Sequence, residues 1–310
     1  MPFGFASSGG RGHACSMPFL RILVLGATGG LGRALVRHLS SHHDTTGWGR
    51  AELDLERPET IAQALSRQDF DVLLNPAGMT SPDDCEAQPE NAQLANAAGP
   101  QALAEFCQQR GARMIHFSTD YVFSGEGSMP LTEVDSTHPV NHYGRSKRAG
   151  ELAVLRACPN ALIARVSWLF GPDKASHPDH IIRRALKGEE LSAVADKISV
   201  PTSHADITDW IGRLIRDHSA VDGVLHLCSS GSASWHTWAQ AALDAARKKG
   251  LPVGPAQVRA TQLADLASLK ARRPLMTVMS NARLQRILGM PIRGWQQALE
   301  DHVMQNHPAA

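Results

Sequence analysis

Tyrosine is nearly absent from this chain: of 310 residues only Tyr121 and Tyr143 carry a phenol. Excess charge is missing too. Lys and Arg number 31 against 30 Asp and Glu, which leaves no electrostatic case for a nucleic acid or a membrane surface as partner. No basic stretch is long enough to track a phosphate backbone. No apolar run approaches the roughly 18–20 residues of a membrane helix. Residues 1–16 are rich in Gly and Ser and lack the apolar centre of a secretory signal. The five cysteines, Cys15, Cys85, Cys107, Cys158 and Cys228, are odd in number and form no Cys-x-x-Cys pair. That argues against a disulfide framework and for the reduced thiols of a cytoplasmic protein. The densest histidine cluster is His177-Pro178-Asp179-His180, where the proline disfavours a regular helix presenting both rings. These read as loop and surface histidines, with metal binding the lesser alternative, and no metal is expected.

What the chain does have is alternation. Leu20 to Leu25 is a continuous apolar run, as a parallel strand buried on both faces requires. Leu31, Leu35, Val36 and Leu39 then recur at helical spacing. Further short strands are expected at Val72-Leu73-Leu74, Met114–Phe117, Leu162-Ile163-Ala164 and Val224–Leu227, separated by helices over Ala92–Arg110 and Tyr143–Arg156. Alternating strand and helix predicts an α/β fold, a Rossmann-type doubly wound parallel sheet. After about residue 166 the pattern loosens, with loops at Gly171–Pro178 and Arg272–Ser280. The expected organisation is a nucleotide-binding domain over 19–170, also receiving about 201–228. A smaller, mainly helical lobe over 171–200 and 229–310 would close on it. Met-Pro-Phe occurs at residue 1 and again at Met17, so Met17 is the natural start or residues 1–16 are a disordered tail; 1–18 are set apart as an extension.

The first strand runs into Gly26-Ala27-Thr28-Gly29-Gly30-Leu31-Gly32. Gly26 and Gly29 permit a tight turn and close approach of backbone to a pyrophosphate. Gly32 lets the following helix pack on the strand, and the helix N-terminus offers free N–H groups to phosphate. A strand before and an amphipathic helix after favour dinucleotide binding by Gly26, Thr28, Gly29, Gly30, Leu31 and Gly32 over a plain turn. An NAD-specific site carries an acid about 20 residues further on. This chain reads Thr45-Thr46-Gly47-Trp48-Gly49-Arg50 there, and Arg50 could meet a 2′-phosphate. NADPH is therefore the expected cofactor, with NADH the alternative, unless Arg50 is only a surface residue. Asp54 is placed near the adenine.

Ser118-Thr119-Asp120-Tyr121 follows the Met114–Phe117 strand, and Tyr143-Gly144-Arg145-Ser146-Lys147 opens a helix. Four residues apart, Tyr143 and Lys147 share one helix face. A phenol with pKa about 10 exchanges protons poorly near neutrality, and an ammonium beside it is expected to lower that value. Tyr143 would protonate a carbonyl oxygen as hydride arrives, and Lys147 would also hold the nicotinamide ribose. Thr119 is placed to bond the same oxygen, with Ser118 its competitor. Tyr121, with no lysine at helical spacing, reads as packing or as a residue beside the nicotinamide and substrate.

Together these residues resemble the extended short-chain dehydrogenase/reductase family, and within it the dTDP-4-dehydrorhamnose reductase branch. The most specific piece is Ser-Thr-Asp-Tyr-Val-Phe at 118–123. Asn96-Ala97-Ala98-Gly99-Pro100, Arg165-Val166-Ser167-Trp168, Pro201-Thr202 and Arg273-Pro274 support it, and the likeness runs from Leu20 to Val303. The resemblance implies reduction of the 4-keto group of a nucleotide-linked deoxysugar, with Thr119, Tyr143 and Lys147 as hydroxyl, acid and lysine. It implies cofactor contacts from Asn75, Ala77 and Gly78, and a substrate pocket using Tyr121, Trp168 and Arg273. An exposed Trp168 suits sugar stacking, and core packing is the alternative. A homodimer is compatible with this reading. The departures are Met79 for an aromatic residue, Lys197 in the segment leading to Pro201-Thr202, Met276 for a polar amide, and the missing Asn-Phe pair after Gly171. Cofactor and catalytic positions are kept while pocket positions change. The expectation is that reduction survives on a substrate that differs, the alternatives being another carbonyl compound or a non-catalytic NAD(P)-binding regulatory subunit.

Overall fold

The computed structural model describes residues 19–127, 130–254 and 257–307; the extension expected at 1–18 lies outside them. Six parallel strands make the central sheet: β1 (Arg21–Leu25), β2 (Asp44–Trp48), β3 (Val72–Asn75), β4 (Arg113–Thr119), β5 (Leu162–Val166) and β6 (Gly223–His226). Their spatial order is β6-β5-β4-β3-β1-β2. The helices used below are α1 (Gly30–Leu39), α2 (Pro58–Leu65), α3 (Pro82–Ala87), α4 (Gly99–Arg110), α5 (His142–Ala157), α6 (His177–Leu186), α7 (His204–Arg216), α8 (Trp235–Lys248) and α9 (Trp295–Asn306).

Strand alternation divides the core. Ile22 and Val24 face α1 and α7, meeting Leu31, Leu35, Trp210 and Ile211. Leu23 and Leu25 face α2, α4 and α5, meeting Ile61, Leu103 and Val154. Covered on both sides, the sheet is the doubly wound arrangement expected. The order reverses between β1 and β3, and a crevice opens there at the carboxyl ends of the strands. Strand β2 was not anticipated. Asp-Thr-Thr-Gly-Trp has no apolar run, yet it pairs in register with all of β1 because an edge strand needs little burial.

The helix expected over 92–110 is interrupted. Leu94–Ala98 forms a π turn before α4. Pro100 has no N–H to offer the carbonyl of Asn96, so the regular ladder cannot pass this point. The turn holds the Asn96 side chain against the Met79 backbone, where it accepts from the amide and donates to the carbonyl, both at 2.9 Å.

Beyond Ser167 the chain leaves the sheet and builds a second apolar cluster from Phe170, Ile182, Trp238, Leu299 and Val303 on α6, α8 and α9. It returns through α7 and β6, which pairs with β5. Buried Asp120, just past β4, ties the two regions together by accepting from Ser199 Oγ at 2.8 Å and from Thr277 Oγ1. The four cysteines among the described residues are unpaired and buried. No helix of the described residues is long and apolar enough to cross a membrane.

Candidate active site

The glycine turn follows β1. Gly26 adopts φ +63°, and its carbonyl accepts from Gly29 N at 2.9 Å. A Cβ on Gly32 would lie 2.1 Å from that carbonyl, so no larger residue lets α1 start here. Gly29 caps α1 with no side-chain bond, and no acid lies in the first turn. The helix therefore presents unpartnered N–H groups to the crevice, the geometry that holds a pyrophosphate. The crevice is a cleft of about 850 Å³ whose walls include the glycine turn, Ala77 and Gly78 after β3, Thr119, Tyr121, Tyr143, Lys147 and Trp168.

At the end of β2 the charges are arranged differently from the expectation. Glu52 folds back and its carboxylate accepts from Gly49 N at 2.7 Å. An acid thus reaches the strand end from three residues downstream. Arg50 lines the cleft, but its guanidinium pairs with Glu56 and, at 3.3 Å, with Asp54.

Three groups converge at the far end. Thr119 closes β4. Tyr143 and Lys147 come from the first turns of α5, whose start is fixed by Asn141: its side chain accepts from Gly144 N at 2.8 Å and donates to Arg272 O at 2.7 Å. Further along α5, buried Glu151 receives Arg165 of β5 through two bonds of 2.8 Å. The Thr119 hydroxyl lies beside the Tyr143 phenol, accepts from Tyr121 N at 3.2 Å and donates to Asp120 at 3.2 Å. Ser118, one residue earlier on the strand, is buried with no hydrogen-bond partner for its Oγ, whereas Asp120 and Tyr121 N fix the orientation of the Thr119 hydroxyl. The Lys147 ammonium donates to Phe117 O at 2.6 Å, and burial pulls its pKa down to about 8.

The expected lowering of the Tyr143 pKa is not found. Burial pushes it up, the Thr119 bond works the other way, and Asp120 and Cys85 add to the rise; Lys147 is not among the causes. The phenol holds its proton at neutral pH, which is the state an acid needs.

Facing these groups is an aromatic wall. Trp168 has φ +43°, a conformation that costs a bulky residue energy and recurs at ligand sites. Its ring stacks on Trp238 at 5.7 Å and lies 6.0 Å from Trp235. His177 packs on Trp238 at 5.1 Å. Below them, buried Lys197 sits 4.8 Å from the Tyr121 ring and 5.7 Å from the Trp168 ring. The rings of Tyr121 and Tyr143 meet edge-on at 5.5 Å.

Comparison with known proteins gives this arrangement a family. A model described as "RmlD substrate binding domain" matches residues 20–307. The chain belongs to the RmlD substrate-binding family. It is 37% identical over 284 residues to a probable dTDP-4,6-dihydroxy-2-methyloxan-3-one 4-ketoreductase of Streptomyces antibioticus, covering 91% of this chain and 94% of that protein. It is 33% identical to the dTDP-4-dehydrorhamnose reductase of Escherichia coli K12, covering 89% and 95%. Among solved structures, the Bacillus anthracis dTDP-4-dehydrorhamnose reductase in complex with NADP superposes with a TM-score of 0.85 at 28% identity, covering 93% of this chain and all of that one.

As a member of the RmlD family the chain keeps the motif letters, but two of its expected contacts turn elsewhere. Asn75 is fully buried behind the cleft, bonded to Ala77 N and to His116. Arg273 does not line the cleft; its guanidinium grips Asp83 of α3 with bonds of 2.7 and 3.1 Å. Of the three substituted residues among the departures, Met79 lines the cleft while Lys197 and Met276 do not. Sequence analysis missed His177, His204, Trp235 and Trp238, all of which line it. Trp235 and Trp238 are three apart at the start of α8, a spacing that marks one helix face.

The histidine cluster also differs from expectation. His177 to His180 do begin a helix, because Pro178 falls in its first turn, where a missing N–H costs nothing. Asp179 meets His302 and His307 rather than its neighbours, with ligand atoms within 4.8 Å of one another. Its carboxylate accepts from both imidazoles, at 2.8 and 2.9 Å, and from Ser176 N and Oγ, at 2.8 and 2.6 Å. Four donors fill its four lone-pair sites, so the group is complete as a clasp between α6 and the C-terminal helix.

Proposed function

We propose that this protein reduces the 4-keto group of a dTDP-linked deoxysugar with NADPH, as a dTDP-4-dehydrorhamnose reductase. The convergence of Thr119, Tyr143 and Lys147 in the wall of the cleft that the glycine turn also lines carries the reading. The nicotinamide nucleotide, when bound, supplies the hydride. Tyr143, protonated at neutral pH, turns its hydroxyl from Thr119 to the keto oxygen and gives up its proton there. Thr119 holds the oxygen in place, its own orientation set by Asp120 and by Tyr121 N. Lys147 keeps positive charge beside the reacting oxygen. The α1 N-terminus, Ala77 and Gly78 take the pyrophosphate. Arg50 would exchange Asp54 and Glu56 for a 2′-phosphate, whereas Glu52 beside Gly49 suits the free ribose hydroxyls of NADH. The aromatic wall of Trp168, Trp235 and Trp238 offers a stacking surface for the sugar or base. On the same grounds 171–200 and 229–310 are assigned to the substrate lobe.

A second substrate reading rests on Met79, which puts a flexible thioether in the cleft wall where the family usually has an aromatic ring. The Streptomyces relative, named a probable dTDP-4,6-dihydroxy-2-methyloxan-3-one 4-ketoreductase, fits this alternative. NADPH oxidation by purified protein with enzymatically prepared dTDP-4-dehydrorhamnose, alongside Tyr143→Phe, tests the proposal. Turnover that falls at least about 100-fold in the variant supports both substrate and acid. Undiminished turnover removes Tyr143 from the chemistry. Cofactor binding without turnover shifts the substrate to another keto sugar.

A further inference from the structure

Behind Lys147 stands a pair of side chains that the reducing scheme leaves unused. His116 of β4 and Asn75 of β3 are both fully buried and lie opposite each other in the sheet. Asn75 Oδ1 accepts from Ala77 N at 3.2 Å, so its amide nitrogen is the atom 3.0 Å from His116 Nδ1. An amide nitrogen only donates, and Nδ1 therefore carries a lone pair. Burial holds the ring neutral, pushing its pKa well below the ordinary value, with the charge of Lys147 acting the same way. The ring proton is thus on Nε2, which faces Lys147 Nζ at 3.5 Å.

An N–H and an ammonium are both donors, so this contact opposes the charged form of Lys147 and welcomes the neutral amine, whose lone pair accepts the N–H. The other groups bearing on Lys147 do little to reverse this. Glu151, one turn along α5, favours the charge, but Arg165 and Arg148 already bind its carboxylate. Cys85 of α3 also acts in favour of the charge, and burial pushes the Cys85 thiol up to about 11, so it is uncharged at neutral pH. Phe117 O accepts one ammonium proton.

We propose that His116, locked by Asn75 as its Nε2–H tautomer, is a positioning residue that keeps the Lys147 proton loosely held, making Lys147 a proton source for the reducing centre and not only a fixed charge. The inference rests on the reduction proposed above. After Tyr143 has protonated the product oxygen, an N–H bond of Lys147 breaks and the phenol O–H re-forms, the proton crossing by solvent in the cleft that both groups line. The neutral amine accepts the His116 N–H until water returns its proton. A donor transfers best when its pKa lies near the working pH.

The test uses the cofactor-free protein, so it is independent of turnover. Nitrogen NMR of ¹⁵N-histidine-labelled protein, assigned with His116→Leu, is expected to show the Nε2–H tautomer. Competitive acetylation of Lys147 across pH, read by mass spectrometry, is expected to half-titrate near 8 and to move up by about one unit in His116→Leu. Asn75→Asp, which would accept from Nδ1–H and turn the Nε2 lone pair toward Lys147, is expected to move it further the same way. It serves if His116→Leu does not fold. An Nδ1–H tautomer in the unmodified protein, or a half-titration unmoved in a folded variant, overturns the proposal. Where reduction is measurable, the alkaline limb of kcat/KM moves with the Lys147 titration; a purely structural role would lower the rate and leave that limb in place.

Discussion

Arg50 shows how far a single residue can be read before its neighbours are known. Its position about 20 residues beyond the glycine turn is legible, and so is its suitability for a 2′-phosphate. Its pairing with Asp54 and Glu56 is not, because those partners depend on how the following loop folds. A side chain two-thirds exposed releases such partners cheaply, and a phosphate returns a charge-assisted fork. Arg50→Ala is therefore expected to raise the KM for NADPH about tenfold, roughly 1.4 kcal/mol, while that for NADH changes little. A ratio of the two constants that stays fixed would take Arg50 out of cofactor recognition. Thr119, Tyr143 and Lys147 were legible because strand end and helix spacing dictate where they point. Arg273 and Asn75 carried the right letters but face Asp83 and His116, and no letter names its partner.

The proposed chemistry depends most on one element, α5, since Tyr143 and Lys147 ride on it together. The helix expected over Tyr143–Arg156 and the Tyr-x-x-x-Lys spacing announced it, whereas edge strand β2 gave no signal and the π turn at Leu94–Ala98 only the indirect one of Pro100. Nothing local revealed that Glu151, mid-helix, is fully buried against Arg165. Burial works to raise the Glu151 pKa, but the Arg165 guanidinium overcomes it and the net direction is down. This interaction therefore contributes its stability above the ordinary carboxylate pKa and loses it as pH falls through the folded value. Arg165→Met leaves a buried carboxylate with Arg148 alone and is expected to cost about 3 kcal/mol, read as a lower midpoint in urea. The double variant Arg165→Met with Glu151→Leu should recover part of it. A single variant as stable as the parent would mean that Arg148 alone satisfies the carboxylate.

For the whole molecule, the sheet was readable because buried parallel strands are continuous apolar runs. The second lobe was not. Its strands are two or three residues long, and its cluster joins α6, α8 and α9 from segments more than 100 residues apart. The Asp179 clasp is one tie across that distance. Burial acts to raise the Asp179 pKa, but His302, His307 and Ser176 overcome it and hold the carboxyl well below its ordinary 3.8. Its contribution is accordingly full at neutral pH and shrinks as pH drops below 3.8 toward the folded value. Asp179→Asn is expected to cost about 1–3 kcal/mol at pH 7, a lower Tm whose gap from the parent narrows in acid. An equal gap at pH 7 and pH 3 would mean the clasp acts through packing rather than charge.

The scarcity of tyrosine has a practical corollary. Both phenols line the cleft with rings 5.5 Å apart, so ring-labelled tyrosine places two sets of ring signals in the spectrum, both from the cleft. Whatever ligand shifts them has reached the reducing centre, and the chain thus carries its own background-free reporter of occupancy.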